Sequence, residues 1–250
     1  MIFTQNVKTG IKDIGKNNTI KNRALLEILE NVGSYHSDKV GYGALNIEKT
    51  KLTWILLEWK LKVIKRPIYG QTLTINTWGR NMEKFFTYRD YEIYDENNNL
   101  CVIATSKWAL IDIETGKLAR MTDDVINRYQ PEEKNVFSSE KIEKINMPDN
   151  FDTTMEYTVK RRDIDLNFHM HNLYYLDLAY EVLPEEVYEQ RPFDNIRITY
   201  KKEIKLGDTI NCKYKKQDNK NIVVITDAED KTVHAVISLE NIWQTLIILV

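Results

Sequence analysis

The densest group of reactive side chains in the sequence lies in one short segment, residues 163–172. It combines acids and amides with His169 and His171, two of the four histidines in the chain. In extended backbone the odd-numbered residues from 163 to 171 would share one face, because successive side chains point to opposite sides. An acid, an amide and an imidazole on one face suit acyl-transfer hydrolysis, in which a base activates water and a donor stabilises an oxyanion.

Two other interpretations of this segment stay open at this point. It could be a polar edge strand that leads into a helix, with Asp and Asn serving as ordinary caps. It could also be a metal site built from Asp165, His169 and His171, although no further strong ligand is evident. The remaining histidines, His36 and His234, stand alone and are typical of surface or satisfied core groups. Acyl-transfer hydrolysis by an activated water, the chemistry suggested above, uses neither a metal nor an organic cofactor, and on that interpretation we expect neither.

The elements that must position these side chains follow from apolar spacing and turn residues. Apolar residues at helical spacing predict two amphipathic helices, at 22–32 and 172–183, each with an Asn as its expected N-cap. Four strand-like runs separated by turn residues follow each helix and predict antiparallel meanders. They cover about 52–64, 71–80, 84–95 and 101–113 after the first helix, and about 195–204, 208–216, 221–227 and 233–243 after the second.

The two halves of the chain resemble each other ahead of their helices. Residues 13–22 and 163–172 align without a gap, with Asp-Ile at the start and Asn at the fifth and tenth positions. Further on, residues 69–72 resemble residues 206–209. Together with the matched order of elements, this indicates an internal duplication.

The aligned copies differ at the positions that could do chemistry. Asp165 and His169 in the second copy correspond to Gly15 and Thr19 in the first. One copy has ionisable groups at these positions and the other does not. We therefore expect the second half to carry the chemistry and the first half to supply shape.

Composition excludes several classes of protein. The chain has 250 residues with 35 Lys and Arg against 37 Asp and Glu, so it has no general attraction for nucleic acid, and no base-reading motif is present. Two cysteines cannot form a disulfide framework. The N-terminus lacks the apolar core of a signal peptide, and the longest purely apolar run, Leu246 to Val250, is too short to span a bilayer. The sequence predicts a soluble cytoplasmic protein without membrane insertion.

Taken in order, a set of short motifs resembles the acyl-ACP thioesterases of plants and bacteria, where ACP is the acyl carrier protein. The set comprises Asp165-x-Asn167-x-His169 before a helix, Tyr200 to Glu203 about thirty residues later, the helix at 23–32, Gly41 to Gly43, Leu52 to Trp59, Arg66 to Gly70, Thr77-Trp78 and Ala104 to Trp108. The resemblance covers most of the chain. It implies an α+β tandem hot-dog fold, in which two antiparallel sheets each wrap around a long helix.

The same resemblance implies how the chain is divided. Residues 1–130 would form an N-terminal hot-dog that lines much of the acyl pocket and has a degenerate site. Residues 131–150 would form a connector, which the polar, Pro-containing character of residues 122–150 also favours. Residues 151–250 would form the catalytic hot-dog.

Four residues match the catalytic network of the family: Asp165, Asn167, His169 and Glu203. By this resemblance the chain hydrolyses fatty acyl-ACP to free fatty acid and holo-ACP. Glu203 and His169 would activate water, and Asn167 and helix-start amides would hold the oxyanion. Asp165 would orient Asn167 or His169 and tune the imidazole. Which of His169 and Glu203 is the base stays open.

Two departures from the family pattern accompany this match. Ile204 stands where a cysteine often follows the glutamate, which disfavours a thiol nucleophile, and His171 stands where Asn is usual. Strict alternation also places Glu203 on the strand face opposite Ile204. Either a bulge near Lys201 and Lys202 turns Glu203 around, or the active site lies on that other face.

The expected partner is the acyl carrier protein, since local basic clusters could attract an acidic carrier. The triplet Lys160 to Arg162 lies just ahead of the catalytic segment, and others lie at 60–66 and 201–205. Two alternatives remain: an acyl-CoA thioesterase on the same scaffold, and a non-catalytic module that binds acyl thioesters. A homodimer is also compatible with the sequence, which predicts neither assembly nor acyl chain length.

Overall fold

The computed structural model describes residues 1–241. The chain divides into two compact units, Met1–Ile142 and Glu143–Val250, so the division falls inside the segment expected to be the connector. Trp243, at the end of the last predicted strand, and the apolar run Leu246 to Val250 lie outside the described residues. Within residues 1–241 no helix is both long enough and apolar enough to cross a membrane.

The first unit is an antiparallel sheet packed on one long helix. Its strands run in the order β1-β3-β4-β5-β2, and the short β6 pairs with β5. The elements are β1 (Phe3–Lys8), α1 (Asn22–Lys39), α2 (Ile47–Thr50), β2 (Leu52–Val63), β3 (Thr72–Glu83), β4 (Phe86–Tyr94), β5 (Leu100–Asp112), β6 (Lys117–Leu118) and α3 (Asp123–Tyr129).

The second unit repeats this arrangement. Its strands run in the order β7-β9-β10-β11-β8, which is the first unit's order shifted along the chain. The elements are β7 (Thr153–Thr158), α4 (Asn172–Glu181), α5 (Glu185–Tyr188), β8 (Asn195–Tyr200), β9 (Thr209–Gln217), β10 (Lys220–Asp227) and β11 (Val233–Glu240). The shared topology confirms the predicted internal duplication.

Each helix buries its apolar stripe against its own sheet. In α1 the side chains of Leu25, Leu29 and Val32 are buried, as the spacing predicts. The helix comes so close to β4 at Gly33 that a Cβ there would lie 2.8 Å from the Tyr91 hydroxyl oxygen. Glycine is therefore required at this point for the helix to seat on the sheet.

The segment expected to be the connector is packed against the sheets. Its first part packs within the first unit and its last part within the second. Within the first unit the Trp78 indole donates to the Lys134 carbonyl at 2.9 Å, and the Val136 amide donates to the Asp90 carboxylate at 3.0 Å. In the second unit Ile145 is buried against Ile222 and its neighbours on the sheet. The segment thus covers sheet faces that would otherwise be exposed.

Several predicted boundaries are wrong. Helix α1 continues to Lys39 and α4 ends at Glu181, and α3 lies in the first part of the predicted polar stretch. Each unit has a fifth long strand, β1 or β7, ahead of its helix. Both are edge strands with alternating exposure, held by pairing to β3 and β9. The predicted Asn caps are also wrong, because Lys21 and His171 occupy the cap positions.

Candidate active site

The polar segment of the second unit forms a tight turn and not the predicted extended strand. The Asp165 amide donates to the His169 carbonyl at 2.8 Å, and the Phe168 amide donates to the Asp165 carbonyl at 3.1 Å. Phe168 sits in the left-handed region at φ 63°, and a bridge between Ile164 and Met170 closes the base of the turn. The polar side chains are thus brought together by the turn, and the expected shared strand face does not exist.

Asp165 holds this turn through its carboxylate. One oxygen, Oδ1, accepts from the Asn167 amide at 2.8 Å and from the His169 amide at 3.3 Å. Such side chain to backbone bonds are what favour Asp in turns. Asp165 therefore positions Asn167 and His169 through their backbones, which leaves their side chains available. Within residues 1–241, neither the Asn167 side chain nor the His169 ring has a hydrogen-bond partner.

Glu203 lies on the segment that runs beside this turn. The Met170 amide donates to the Ile204 carbonyl at 2.8 Å, and His169 forms an antiparallel bridge with Lys205. The Ile204 side chain is fully buried, whereas Glu203 is exposed. Backbone hydrogen bonding therefore joins the turn to the segment that carries Glu203.

The backbone is irregular where it approaches Glu203. Strand β8 ends at Tyr200, and the amides of Lys201 and Lys202 both donate to the His234 carbonyl, at 2.8 and 3.4 Å. Two residues opposite one is the definition of a β-bulge. The His234 Nδ1 also lies 3.1 Å from the Lys202 carbonyl. The backbone is therefore bulged near Lys201 and Lys202, but Ile204 is buried and Glu203 is exposed, so which face of the strand carries the site stays a prediction.

Tyr175, a buried tyrosine on α4, interacts electrostatically with the carboxylates of Glu203 and Asp165. Burial raises the pKa of Tyr175, and the negative charges of Glu203 and then Asp165 raise it further, while the backbone of Ile204 acts in the opposite direction. Glu203 and Asp165 are thus close enough to Tyr175 to interact with it electrostatically. The sequence analysis missed Tyr175. Extending its gap-free alignment by three residues would have shown Tyr175 opposite Leu25.

The start of α4 is capped by a histidine. The His171 Nδ1 accepts from the Leu173 amide at 3.3 Å, and the His171 carbonyl accepts from the Tyr174 amide at 3.0 Å. An Asn side chain caps a helix in the same way, through an acceptor atom. His171 can therefore replace the usual Asn without loss of the cap. It also means that the Leu173 amide is already engaged and is not free for an oxyanion.

The first unit contains a similar turn, with matching backbone hydrogen bonds and different side chains. The Gly15 amide donates to the Thr19 carbonyl at 2.9 Å, and the Ile20 amide donates to the Pro67 carbonyl at 2.9 Å. By this register Arg66 corresponds to Glu203. Its guanidinium donates to the Asn22 side chain at 2.7 Å and to the Ile20 carbonyl at 3.1 Å. The first unit therefore has no acid, imidazole or carboxylate at the equivalent positions.

The other interpretations of the histidines find little support. Across the described residues 1–241, no three His, Cys, Asp or Glu side chains converge as metal ligands. His36 is buried and its Nδ1 accepts from the Arg89 guanidinium at 2.9 Å. Burial and the Arg89 charge lower the pKa of His36 to about 3. His36 and His234 are both buried structural groups.

Two family models match this chain in succession. The model of the acyl-ACP thioesterase N-terminal domain matches residues 1–129, and the model of the C-terminal domain matches residues 147–244. The chain belongs to the acyl-ACP thioesterase family. The family resemblance noted in the sequence is thus confirmed.

Relatives of the acyl-ACP thioesterase family agree with this assignment. The chain is 26% identical over 217 residues to oleoyl-acyl carrier protein thioesterase 1, chloroplastic, of Arabidopsis thaliana, covering 80% of this chain and 59% of that protein. The chain therefore spans little more than half the length of this relative. The family models, by contrast, match both units of this chain.

Solved structures show the same fold. An acyl-ACP thioesterase from Bacteroides thetaiotaomicron superposes with a TM-score of 0.86 at 22% identity, over 96% of this chain and 97% of that chain. The 12:0-ACP thioesterase from Umbellularia californica superposes with a TM-score of 0.84 at 17% identity, over 96% of each chain. These likenesses confirm the predicted tandem hot-dog fold.

Proposed function

We propose that this protein hydrolyses the thioester of fatty acyl-ACP, releasing a free fatty acid and holo-ACP. The observation that carries the proposal is the joining of two neighbouring segments in the second unit. One presents Asp165, Asn167 and His169, and the other presents Glu203. Their residue types match the catalytic network of the family to which the chain belongs, and the named activity of its relatives is thioester hydrolysis.

The chemistry assigned to these residues is water activation. His169 and Glu203 together orient a water molecule and take its proton as the oxygen attacks the thioester carbonyl carbon. The Asn167 side-chain amide donates to the oxyanion that develops. The carbon–sulfur bond then breaks, and the proton passes to the leaving sulfur of the pantetheine arm. Ile204, buried beside Glu203, cannot supply a thiol nucleophile.

The role of Asp165 follows from its contacts. Its carboxylate binds the amides of Asn167 and His169, so it fixes the two groups that act on water and oxyanion relative to each other. Correct placement of the reacting groups can lower the activation barrier by a large part of the total that catalysis requires. Asp165 therefore acts by fixing the geometry of the site, through the backbone amides of Asn167 and His169.

The carrier partner is proposed on the surface around the same turns. Six cations are exposed there: Lys160, Arg161, Arg162, Lys201, Lys202 and Lys205. The turn itself exposes two apolar side chains, with Phe168 81% and Leu166 75% exposed. An acidic carrier would be drawn by the charges, and the apolar side chains would contact the acyl-pantetheine arm. Exposed apolar groups beside basic ones are typical of interaction surfaces.

The test is single-turnover hydrolysis of acyl-ACPs from C8 to C18, with matched acyl-CoAs, by the wild type and Glu203→Gln. We expect release of fatty acid from acyl-ACP and a loss of about a hundredfold or more in the variant. Glu229→Gln, an exposed glutamate on the β10–β11 connection, is the matched control and should behave as wild type. Equal rates with acyl-CoA would favour the CoA thioesterase. Binding without turnover would favour the non-catalytic module.

A further inference from the structure

The two units provide an internal comparison of two similar backbones, one with and one without the proposed chemistry. Asp165 is replaced by Gly15, His169 by Thr19 and Glu203 by Arg66 in the first unit. A residue that serves the chemistry should change in step with these three. A residue that serves only the fold should keep its character in both units.

One buried position under the site does change in step. The fourth residue of α4 is Tyr175, and the fourth residue of α1 is Leu25. Both are buried, with exposures of 3% and 0%. An aliphatic side chain therefore suffices for packing at this place in the fold. The phenol hydroxyl is present only in the unit that carries Asp165, His169 and Glu203.

A second exchange lies beside it. By the register of the two units, Tyr200 in the second corresponds to Val63 in the first, at the end of the strand that leads to Glu203 or Arg66. The rings of Tyr175 and Tyr200 pack edge to face, with centroids 5.3 Å apart. The Tyr200 hydroxyl donates to the Asn172 carbonyl in the first turn of α4 at 3.1 Å. The pair thus links the helix start to the end of β8.

We propose that Tyr175 is a positioning residue for the reaction: from α4 its phenol holds the segment that carries Glu203 against the turn that carries Asp165. The inference rests on the proposed function. Tyr175 packs on Tyr200, three residues before Glu203, and lies next to the backbone of Ile204, one residue after it. The Glu203 segment is therefore held on both sides of the carboxylate.

The electrostatics of the phenol agree with this role. Burial and the charges of Glu203 and Asp165 raise the pKa of Tyr175, so the hydroxyl stays protonated at neutral pH. A protonated phenol is a hydrogen-bond donor, and a donor beside two carboxylates restrains where they point. In the first unit Leu25 has no hydroxyl, and Arg66 replaces the carboxylate on which such a hydroxyl would act.

The experiment compares Tyr175→Phe with Tyr214→Phe. Tyr175→Phe keeps the ring contact with Tyr200 and removes only the hydroxyl. Tyr214→Phe removes another buried hydroxyl of the second unit, one that donates to Asn221 at 3.1 Å and lies on β9 away from the site. We expect Tyr175→Phe to lower kcat for acyl-ACP by about ten- to a hundredfold with KM little changed, as for loss of a buried hydrogen-bond partner, here that of the Ile204 backbone. Tyr214→Phe should keep kcat.

A double-mutant cycle with Glu203→Gln separates positioning from general destabilisation. If Tyr175 acts through Glu203, adding Tyr175→Phe to Glu203→Gln should cost little more, because the two changes remove one function. Full additivity of the two losses would overturn the proposal, as would wild-type kcat in Tyr175→Phe while Glu203→Gln is inactive. That second result would leave the proposed function intact. A wild type without any turnover would instead remove the proposed function, and the role of Tyr175 with it.

Discussion

Asp165 and His169 are joined twice: the Asp165 amide donates to the His169 carbonyl, and the Asp165 carboxylate accepts from the His169 amide. These two hydrogen bonds fix the His169 backbone, and with it the point from which the imidazole extends. A side chain that positions another through main-chain bonds can be tested apart from one that contacts it directly. The predictions below use this distinction.

Replacing His169 should abolish most of the activity. His169→Ala removes the imidazole, and we expect single-turnover release of fatty acid from acyl-ACP to fall by about a hundredfold or more, the usual size of a general acid–base contribution. The matched control is Thr19→Ala, the equivalent position of the first unit, which should hydrolyse as wild type. If His169→Ala and wild type release acid at the same rate, the site lies elsewhere in the chain.

Replacing Asp165 should affect stability as well as rate. Asp165→Ala removes the acceptor of two backbone amides, and we expect the free energy of unfolding to drop by about 1–2 kcal/mol. Urea denaturation measures this loss. Asp149→Ala, an exposed aspartate in the chain ahead of β7, should change it by less than about 0.5 kcal/mol. An unfolding free energy equal to wild type in Asp165→Ala would show that the turn does not depend on the carboxylate.

Reversing the basic triplet should weaken use of the carrier. With Lys160→Glu and Arg161→Glu combined, we expect kcat/KM for acyl-ACP to fall at low salt, with the difference from wild type shrinking as salt is added, because the interaction is between exposed charges. Hydrolysis of a small acyl thioester without the carrier should be unchanged. The exposed Lys141→Glu is the charge-matched control. A loss that persists at high salt would argue against electrostatic docking here.

Acid should destabilise the first unit through His36. Its pKa is lowered to about 3 by burial, then by Arg89, the N-terminus and Lys39, whereas an unfolded histidine titrates near 6.5. Between these values the unfolded chain binds the extra proton, so stability is complete above about pH 6.5 and falls as the pH drops towards 3. The slope is about 1.4 kcal/mol per pH unit for one group.

The measurement for His36 is urea denaturation from pH 7 to pH 4 in wild type and His36→Gln. The glutamine keeps an acceptor for Arg89 and cannot take the proton. We expect the variant to have a flatter dependence on pH over this range. Parallel curves for the two proteins would mean that His36 does not contribute to acid sensitivity.

Much of the fold was predictable because its signals are local. Alternating apolar residues and turn-forming residues identified the four strands after each helix, and the repeat at 13–22 and 163–172 identified the duplication. The strands β1 and β7 were missed because edge strands with one solvated face depend on pairing with distant strands. Helix ends were wrong since caps depend on geometry more than on residue type.

The residues of the candidate site were chosen from the sequence, but the shape of the segment that carries them was predicted wrongly. The alternation at 163–171 reads as a strand, but the Asp165 carboxylate captures nearby amides and makes a turn instead. The exit of Glu203 from β8 depends on the His234 carbonyl, which lies some thirty residues further along the chain. Neither contact can be seen in the alternation of polar and apolar residues along the sequence. The roles of Asp165, Asn167, His169 and Glu203, and the cytoplasmic location, stay predictions.

The matching turns of the two units have a consequence for protein engineering. The main-chain bonds between Gly15 and Thr19, and between Ile20 and Pro67, are already those that the second unit uses around Asp165 and Glu203. Grafting the second set of side chains, through Gly15→Asp, Thr19→His, Leu25→Tyr and Arg66→Glu, would leave one difference in the main chain, because Asn17 is left-handed at φ 69° and its counterpart Asn167 is not. Conversion of one turn into the other therefore involves the residues at 17 and 167 as well as these four side chains.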